Sequence, residues 1–333
     1  MTSAPRTRVL TGLKPTGRLQ IGNYLGAIRP LLDLAADPGT DVIACVADLH
    51  ALTVEHDPAR LRAASREVAA TLLACGLDPR ARLFLQSSVP AHTALSYLLE
   101  STATYGEMTR MVQFKEKSAG TTSIRLSLLT YPALMAADVL VHRADVVPVG
   151  EDQRQHLELT TTLARRFNAR YGDVLTVPRG VTPPDVPRLK DLRDPTTKMG
   201  KTGSDGSGVV FLLDDPDTVA AKVRRVVTDA DPSLALDAAT RPGVTNLATL
   251  LGALNGSTPQ EAVAGLRGSG GLKAAVTEAL VATLRPVQRR YAEITADPGE
   301  VDRVLRAGRD AVEPEATATV GAVAEAMGLV PVG

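Results

Sequence analysis

The sequence predicts an α/β protein built on a doubly wound parallel sheet with an all-helical part behind it. Three observations carry that expectation. Apolar runs of strand length alternate with longer amphipathic stretches through the first half of the chain. A glycine-bearing turn separates the first apolar run from the first helical pattern. After about residue 209 the strand-like runs stop and helical periodicity continues alone.

The first run, Arg8-Val9-Leu10, leads into the turn Lys14-Pro15-Thr16-Gly17 and then into Gly22-Asn23, which opens a helical pattern over 23–35. A strand, a turn and a helix start in this order make a phosphate site, because backbone N–H groups and the positive end of the helix dipole converge. Gly22 allows close approach of a ligand, and Asn23 is a candidate cap or ligand contact. Residues 41–47 read as a buried parallel strand, with Asp48-Leu49-His50 at its carboxyl end, where ligands of open sheets bind. Asp57-Pro58 caps and starts the next helix, Gly76 closes it, and 82–86 form a third strand. Residues 91–117 and 124–142 are helical, and 144–149 make a short strand. Gly150-Glu151-Asp152-Gln153 then opens a helix to Asn168, with two carboxylates that suit a helix N-terminus. The proline-rich stretch 177–188 reads as an extended connector. Within 276–291, Pro286 is expected to kink or divide the helix.

Acidic and basic residues balance at 37 each, so no bulk attraction draws the chain to nucleic acid or to a membrane surface. The N-terminal residues lack an apolar core of signal-peptide length, and no stretch is long and uncharged enough to span a bilayer. A cytoplasmic location is therefore expected. Cys45 and Cys75 sit in apolar segments without a Cys-x-x-Cys pair, and the five histidines are scattered along the chain. Two buried thiols and no zinc site are expected.

Three segments point to one site: Lys14–Asn23, Gly150–Gln153, and the glycine-containing loop Lys198-Met199-Gly200-Lys201-Thr202. Two lysines three residues apart suit charge that develops on a leaving pyrophosphate. Met135 and Asp138 lie one helical turn apart and can face one pocket.

These motifs resemble those of the bacterial tryptophanyl-tRNA synthetases, in the tyrosyl/tryptophanyl subgroup of class I aminoacyl-tRNA synthetases. PTGRLQIGN matches the family's HIGH-type motif, and Lys198–Thr202 its KMSKS loop. The block 131–160 and GEMTRMVQFKEKS (106–118) carry most of the likeness, which runs over nearly the whole chain. The resemblance implies a Rossmann-like catalytic domain over 1–208, with a helical dimerisation insert at about 91–142, and a helical anticodon-binding domain over 209–333. It implies activation of L-tryptophan by ATP, with Mg2+ carried on the phosphates, and transfer to tRNA(Trp) by a homodimer.

By motif, Lys14, Pro15, Thr16, Gly22 and Asn23 would contact ATP, as would Gly150, Glu151, Asp152, Leu189 and Met199, with Gly200 and Thr202 in the same loop. Lys198 and Lys201, with Asn23, would serve catalysis, and Lys117 would add charge. Asp138 would accept the indole N–H, since indole only donates and a carboxylate only accepts. Tyr131, Met135, His50 and Gln153 would line the rest of the amino-acid pocket. Three departures stand out: Lys14 where relatives carry glutamine, Gln20 where many carry threonine, and Gly200 in place of a serine. They suggest an auxiliary copy with an altered response to tryptophan-like inhibitors. A tyrosyl enzyme and a tRNA-free nucleotidyltransferase or regulatory paralogue are the competing readings.

Overall fold

The computed structural model describes residues 6–120, 123–181, 188–200, 206–228, 233–297 and 299–330. Five parallel strands form one sheet: β1 (Thr7–Leu13), β2 (Thr40–Val46), β3 (Arg82–Leu85), β4 (Val146–Pro148) and β5 (Arg179–Val181). Their order is β3-β2-β1-β4-β5. The chain winds outward from β1 through β2 to β3, then returns to β1's other side. The carboxyl ends of β1 and β4 therefore flank the point where the winding reverses, which is where open sheets bind ligands.

Strand periodicity distributes side chains to two cores. Val9, Leu13, Val42, Ala44, Val46 and Leu83 face one side, and Leu10, Ile43, Cys45 and Phe84 the other. Both faces are covered, as a parallel sheet requires. The first core also contains Val209, Val210, Leu247, Leu272 and Leu280, so the later helices share it with the sheet.

The first helix, α1, starts at Ile21–Asn23, widens through a π-type turn at Tyr24–Ile28 and continues as Arg29–Ala36. In α2 (Pro58–Ala74), Asp57 caps by accepting from Arg60 N at 2.7 Å, and Gly76 (φ 94°) turns the chain out of the helix end. Between β3 and β4 lie α3 (Ala91–Glu100), α4 (Tyr105–Arg110), α5 (Val112–Ser118) and α6 (Leu126–Leu140). After β4 comes α7 (Arg154–Tyr171), and beyond β5 come α8 (Pro216–Arg224), α9 (Pro242–Asn255), α10 (Pro259–Val263), α11 (Gly268–Ala296) and α12 (Glu300–Ala326).

α12 covers the outer edge of β3. Gly308 makes this possible, since a Cβ there would lie 1.9 Å from Leu83 O. The helix thus closes an edge that would otherwise offer unpaired backbone groups.

Three local expectations change. α11 runs undivided through Pro286. The stretch expected to be a pure connector contributes β5, three residues on the sheet edge and too short to show a period. Residues 182–187 of that stretch lie outside the described set. Finally, Glu151–Gln153 is a separate short turn, and the long helix starts only at Arg154. Among the described residues no helix is long and apolar enough to cross a membrane.

Candidate active site

The turn after β1 forms as expected. Thr16 N donates to Lys14 O (2.9 Å), and Gly17 takes φ 80°, a value that favours glycine. Pro15 is buried and Thr16 exposed. The helix start differs from the expectation. Gln20, not Asn23, is its N-cap, and Asn23 completes a capping box by accepting from Gln20 N at 3.1 Å. The first amides already have protein acceptors: Ile21 N donates to Val210 O (2.9 Å), Gly22 N to Gln20 Oε1 (2.9 Å) and Asn23 N to Gln20 O (2.8 Å). What the helix start offers an anion is its dipole and the neighbouring Lys14 rather than an open ring of N–H groups.

A cavity of about 340 Å³ opens at the switch point, between the ends of β1, β2 and β4 and the flank of α6. It falls within the range of about 300–1,000 Å³ typical of small-molecule sites. Lys14, His50, Lys117, Tyr131, Met135, Asp138, Gly150 and Gln153 line it, all of them expected from the sequence. Cys45, Thr53 and Gln113 join them. Cys45 is buried, as expected, and burial pushes its thiol well above the ordinary value, whereas Cys75 is only partly covered.

Asp138 is the organising group. It is 7% exposed and accepts three hydrogen bonds: from Gln86 Nε2 (2.6 Å) and His92 Nδ1 (2.7 Å) on Oδ1, and from His50 Nε2 (2.7 Å) on Oδ2. Gln86 is itself fixed, since its Oε1 accepts from Leu49 N at 3.0 Å. Burial opposes ionisation of Asp138, but the bonds and charge of His50 and His92 outweigh it and hold the carboxyl well below the usual carboxylate range. Behind His92 the chain continues to His142, with Nε2···Nε2 3.1 Å. Burial, aided by His92, keeps His142 far below the usual imidazole value and therefore neutral. A carboxylate only accepts, so His92 directs its Nδ1–H at Asp138.

The polar end of the cavity carries positive charge. Lys14 Nζ donates to Thr53 Oγ1 (3.3 Å), and burial, with Lys117 adding repulsion, lowers its ammonium to about 8. Lys117 Nζ bonds Gln113 Oε1 (2.9 Å) and stands 5.7 Å from the centre of the Tyr131 ring. Tyr131 OH meets His156 Nε2 at 2.7 Å, and burial pushes that phenol up to about 12. His156 falls to about 4, through burial first and then Lys117 and His50, so it is neutral. Gln153 Nε2 donates to Asp152 Oδ2 (2.9 Å), and a Cβ on Gly150 would sit 3.0 Å from Asp152 Oδ1. The Glu151 side chain lies outside the described set.

The lysine loop is only partly described: Lys198, Met199 and Gly200 are, while Lys201 and Thr202 lie outside the described residues. Lys198 is exposed. Leu189 (4% exposed) and Met199 (3%) pack into the core and do not line the cavity. Lys222 is a structural ion. It donates to Asp214 (2.6 Å) and Val209 O (2.7 Å).

Sequence reasoning missed Gln86, His92, His142, His156 and Gln113. Four of the five histidines, spread over 50–156, meet around this pocket. The partial signal was that His92 lies within an apolar helix and His142 just beyond the end of another. Among the described residues no group of three or more His, Cys, Asp or Glu is arranged to hold a metal ion.

A switch-point cavity with a polar cationic end and a buried acceptor fits an enzyme that joins a nucleotide to an amino acid. The comparisons with known proteins agree. The chain belongs to the class I tRNA synthetases for tryptophan and tyrosine, whose family profile matches residues 2–285. Within that family it is 50% identical to tryptophan–tRNA ligase 1 of Streptomyces coelicolor, over 98% of each chain. The fold is similar to tryptophanyl-tRNA synthetase from Mycoplasma pneumoniae (37% identity, TM-score 0.86, 98% of each chain). It is also similar to the Campylobacter jejuni tryptophanyl-tRNA synthetase complexed with ADP and tryptophan (27% identity, TM-score 0.83, 97% of this chain and 100% of that one).

Proposed function

We propose that this protein activates L-tryptophan with ATP and transfers it to tRNA(Trp) in the cytoplasm. The tryptophan carboxylate attacks the α-phosphorus of ATP, the bond to the β-phosphate breaks, and pyrophosphate leaves. The terminal ribose hydroxyl of the tRNA then attacks the acyl carbon, loses its proton, and AMP leaves. No base is needed for the first step, because the attacking carboxylate is already ionised. Positioning and electrostatics supply the rate.

One observation carries the reading: Asp138 is a buried, ionised acceptor locked by Gln86, His92 and His50 at the side of the cavity. The indole N–H is a donor only and needs such a partner. Tyr131 and Gln153 line the same cavity and suit the ammonium and carboxylate of the amino acid. Lys14 and Lys117 face the phosphates from the cavity, and Lys198, Lys201 and Asn23 serve the transition state. Mg2+ enters as counter-ion of ATP and is part of that substrate.

The division at residue 208, tRNA contact by the later helices and pairing of two copies through the insert at about 91–142 belong to the same proposal. Tyr97 (75% exposed), Tyr105 (75%) and Leu126 (72%), with Val112 and Ile124, support the pairing, because they leave that insert with apolar surface. Lys14 supports a role as an auxiliary copy with altered response to competitive tryptophan analogues. Equal inhibition constants for wild type and Lys14→Gln would refute that role.

Charging of tRNA with labelled tryptophan in the presence of ATP tests the whole reaction. Accumulation of tryptophanyl-tRNA is expected. Amino-acid-dependent pyrophosphate exchange without charging would establish the tRNA-free alternative instead.

A further inference from the structure

The segment from Leu189 to Met199 folds back on itself. Met199 N donates to Leu189 O (3.1 Å), Asp191 N to Thr197 O (3.0 Å), and Lys190 pairs with Lys198 across an antiparallel bridge. Lys198 rides on the returning arm. Asn246 of α9 pins the outgoing arm, bonding both the amide and the carbonyl of Lys190 at 2.9 Å.

The returning arm is pinned by Gln20, 179 residues earlier in the chain. Gln20 is 6% exposed and uses both ends of its side-chain amide. Oε1 accepts from Gly22 N (2.9 Å), and Nε2 donates to Met199 O (3.2 Å). The amide has one workable orientation, because Gly22 N–H can only donate and the Met199 carbonyl can only accept. The next residue, Gly200, brings no side chain that could hold the arm. Beyond the lysine segment the chain is fastened to the same turn. Ile21 N donates to Val210 O (2.9 Å), Leu212 N to Leu19 O (3.0 Å), and Arg18 pairs with Asp214 (3.1 Å).

We infer that Gln20 is a positioning residue for Lys198, its amide nitrogen tying the hairpin that carries this lysine to the helix start beside Lys14. The inference rests on the proposed role of Lys198 at the phosphates. Capping and tethering are separable. Glutamate at position 20 keeps an oxygen for Gly22 N–H, but it has no donor for Met199 O and places a negative charge against it.

Hydrogen–deuterium exchange at the Met199 amide, which donates to Leu189 O, reads how firmly the tether holds the hairpin closed. Both Gln20→Glu and Gln20→Ala are expected to speed it about fivefold, the value of one neutral hydrogen bond. In tryptophan-dependent pyrophosphate exchange, both variants are expected to lower kcat by about the same factor with the tryptophan KM unchanged. Active-site titration of Gln20→Glu, whose carboxylate keeps the cap, is expected to count the wild-type number of sites, so that its lower kcat is a property of folded enzyme. That separates a positioning role from a structural one. Unchanged Met199 amide exchange in both variants overturns the tether. Faster amide exchange with wild-type kcat overturns the positioning role. If the wild type shows no tryptophan-dependent turnover, the proposed function fails, and Met199 amide exchange still decides the tether.

Discussion

Asp138 and Lys14 both line the cavity and owe their properties to opposite environments. Asp138 keeps its charge in the interior because three donors converge on it. In Asp138→Asn one oxygen becomes an NH2 group, so at least one of those donors meets another donor. An acceptor for the indole N–H is also lost. A fall in kcat/KM for tryptophan of about a hundredfold or more is expected, since sites built for a hydrogen bond discriminate that strongly. Steady-state pyrophosphate exchange measures it, and unchanged kinetics would remove Asp138 from the pocket.

Lys14 is cationic against the cost of burial, and its pKa of about 8 places that cost in a working range. A lysine lowered in this way is protonated below its pKa and neutral above it. ATP attraction that depends on its charge is therefore complete at about pH 7 and declines as pH rises through about 8. kcat/KM for ATP, which reports the free enzyme, is expected to fall over that interval in the wild type. In Lys14→Gln the inflection is expected to disappear. A wild-type profile flat to about pH 9 would contradict the assignment.

Among the elements, α12 and the insert carry the clearest consequences. α12 approaches β3 backbone to backbone, and only glycine at 308 permits this. Gly308→Ala must push the helix off the strand. A loss of about 2–4 kcal/mol is expected in urea melts, as for overpacked or strained interior sites. A loss within about 0.5 kcal/mol would show that the contact relaxes freely. In the insert, Leu126→Glu places a charge on an apolar surface that pairing would bury. Sedimentation is expected to shift from dimer toward monomer. A wild type that sediments as a monomer would contradict pairing through this surface.

Legibility differed by element for physical reasons. β1, β2, α1 and α2 announced themselves through long apolar periods and through turn and cap residues such as Gly17, Asp57 and Gly76. β5 could not, because three edge residues present no period. A helix start near Gly22 was legible, but the role of Gln20 as its cap and tether was not, since its partner Met199 is brought to it only by the fold. Asp138 stood out as a carboxylate in an apolar helix. Gln86, His92 and His142 did not, because isolated polar residues on three elements mean nothing until those elements pack. The lysine loop carried a weak local signal, two lysines three residues apart in a glycine-containing loop, and most of the expected nucleotide contacts came from family resemblance.

For the whole molecule, sheet and later helices share one core, while the cavity at the switch point is lined by residues 10–153 alone. The proposed activity requires this cavity to select tryptophan and join it to the adenylyl group of ATP. ATP–pyrophosphate exchange measured on one preparation with tryptophan, with tyrosine and with no amino acid tests it most directly. Exchange that depends on tryptophan and stays at background with tyrosine is expected. Exchange driven equally or better by tyrosine, or by neither amino acid, would contradict it.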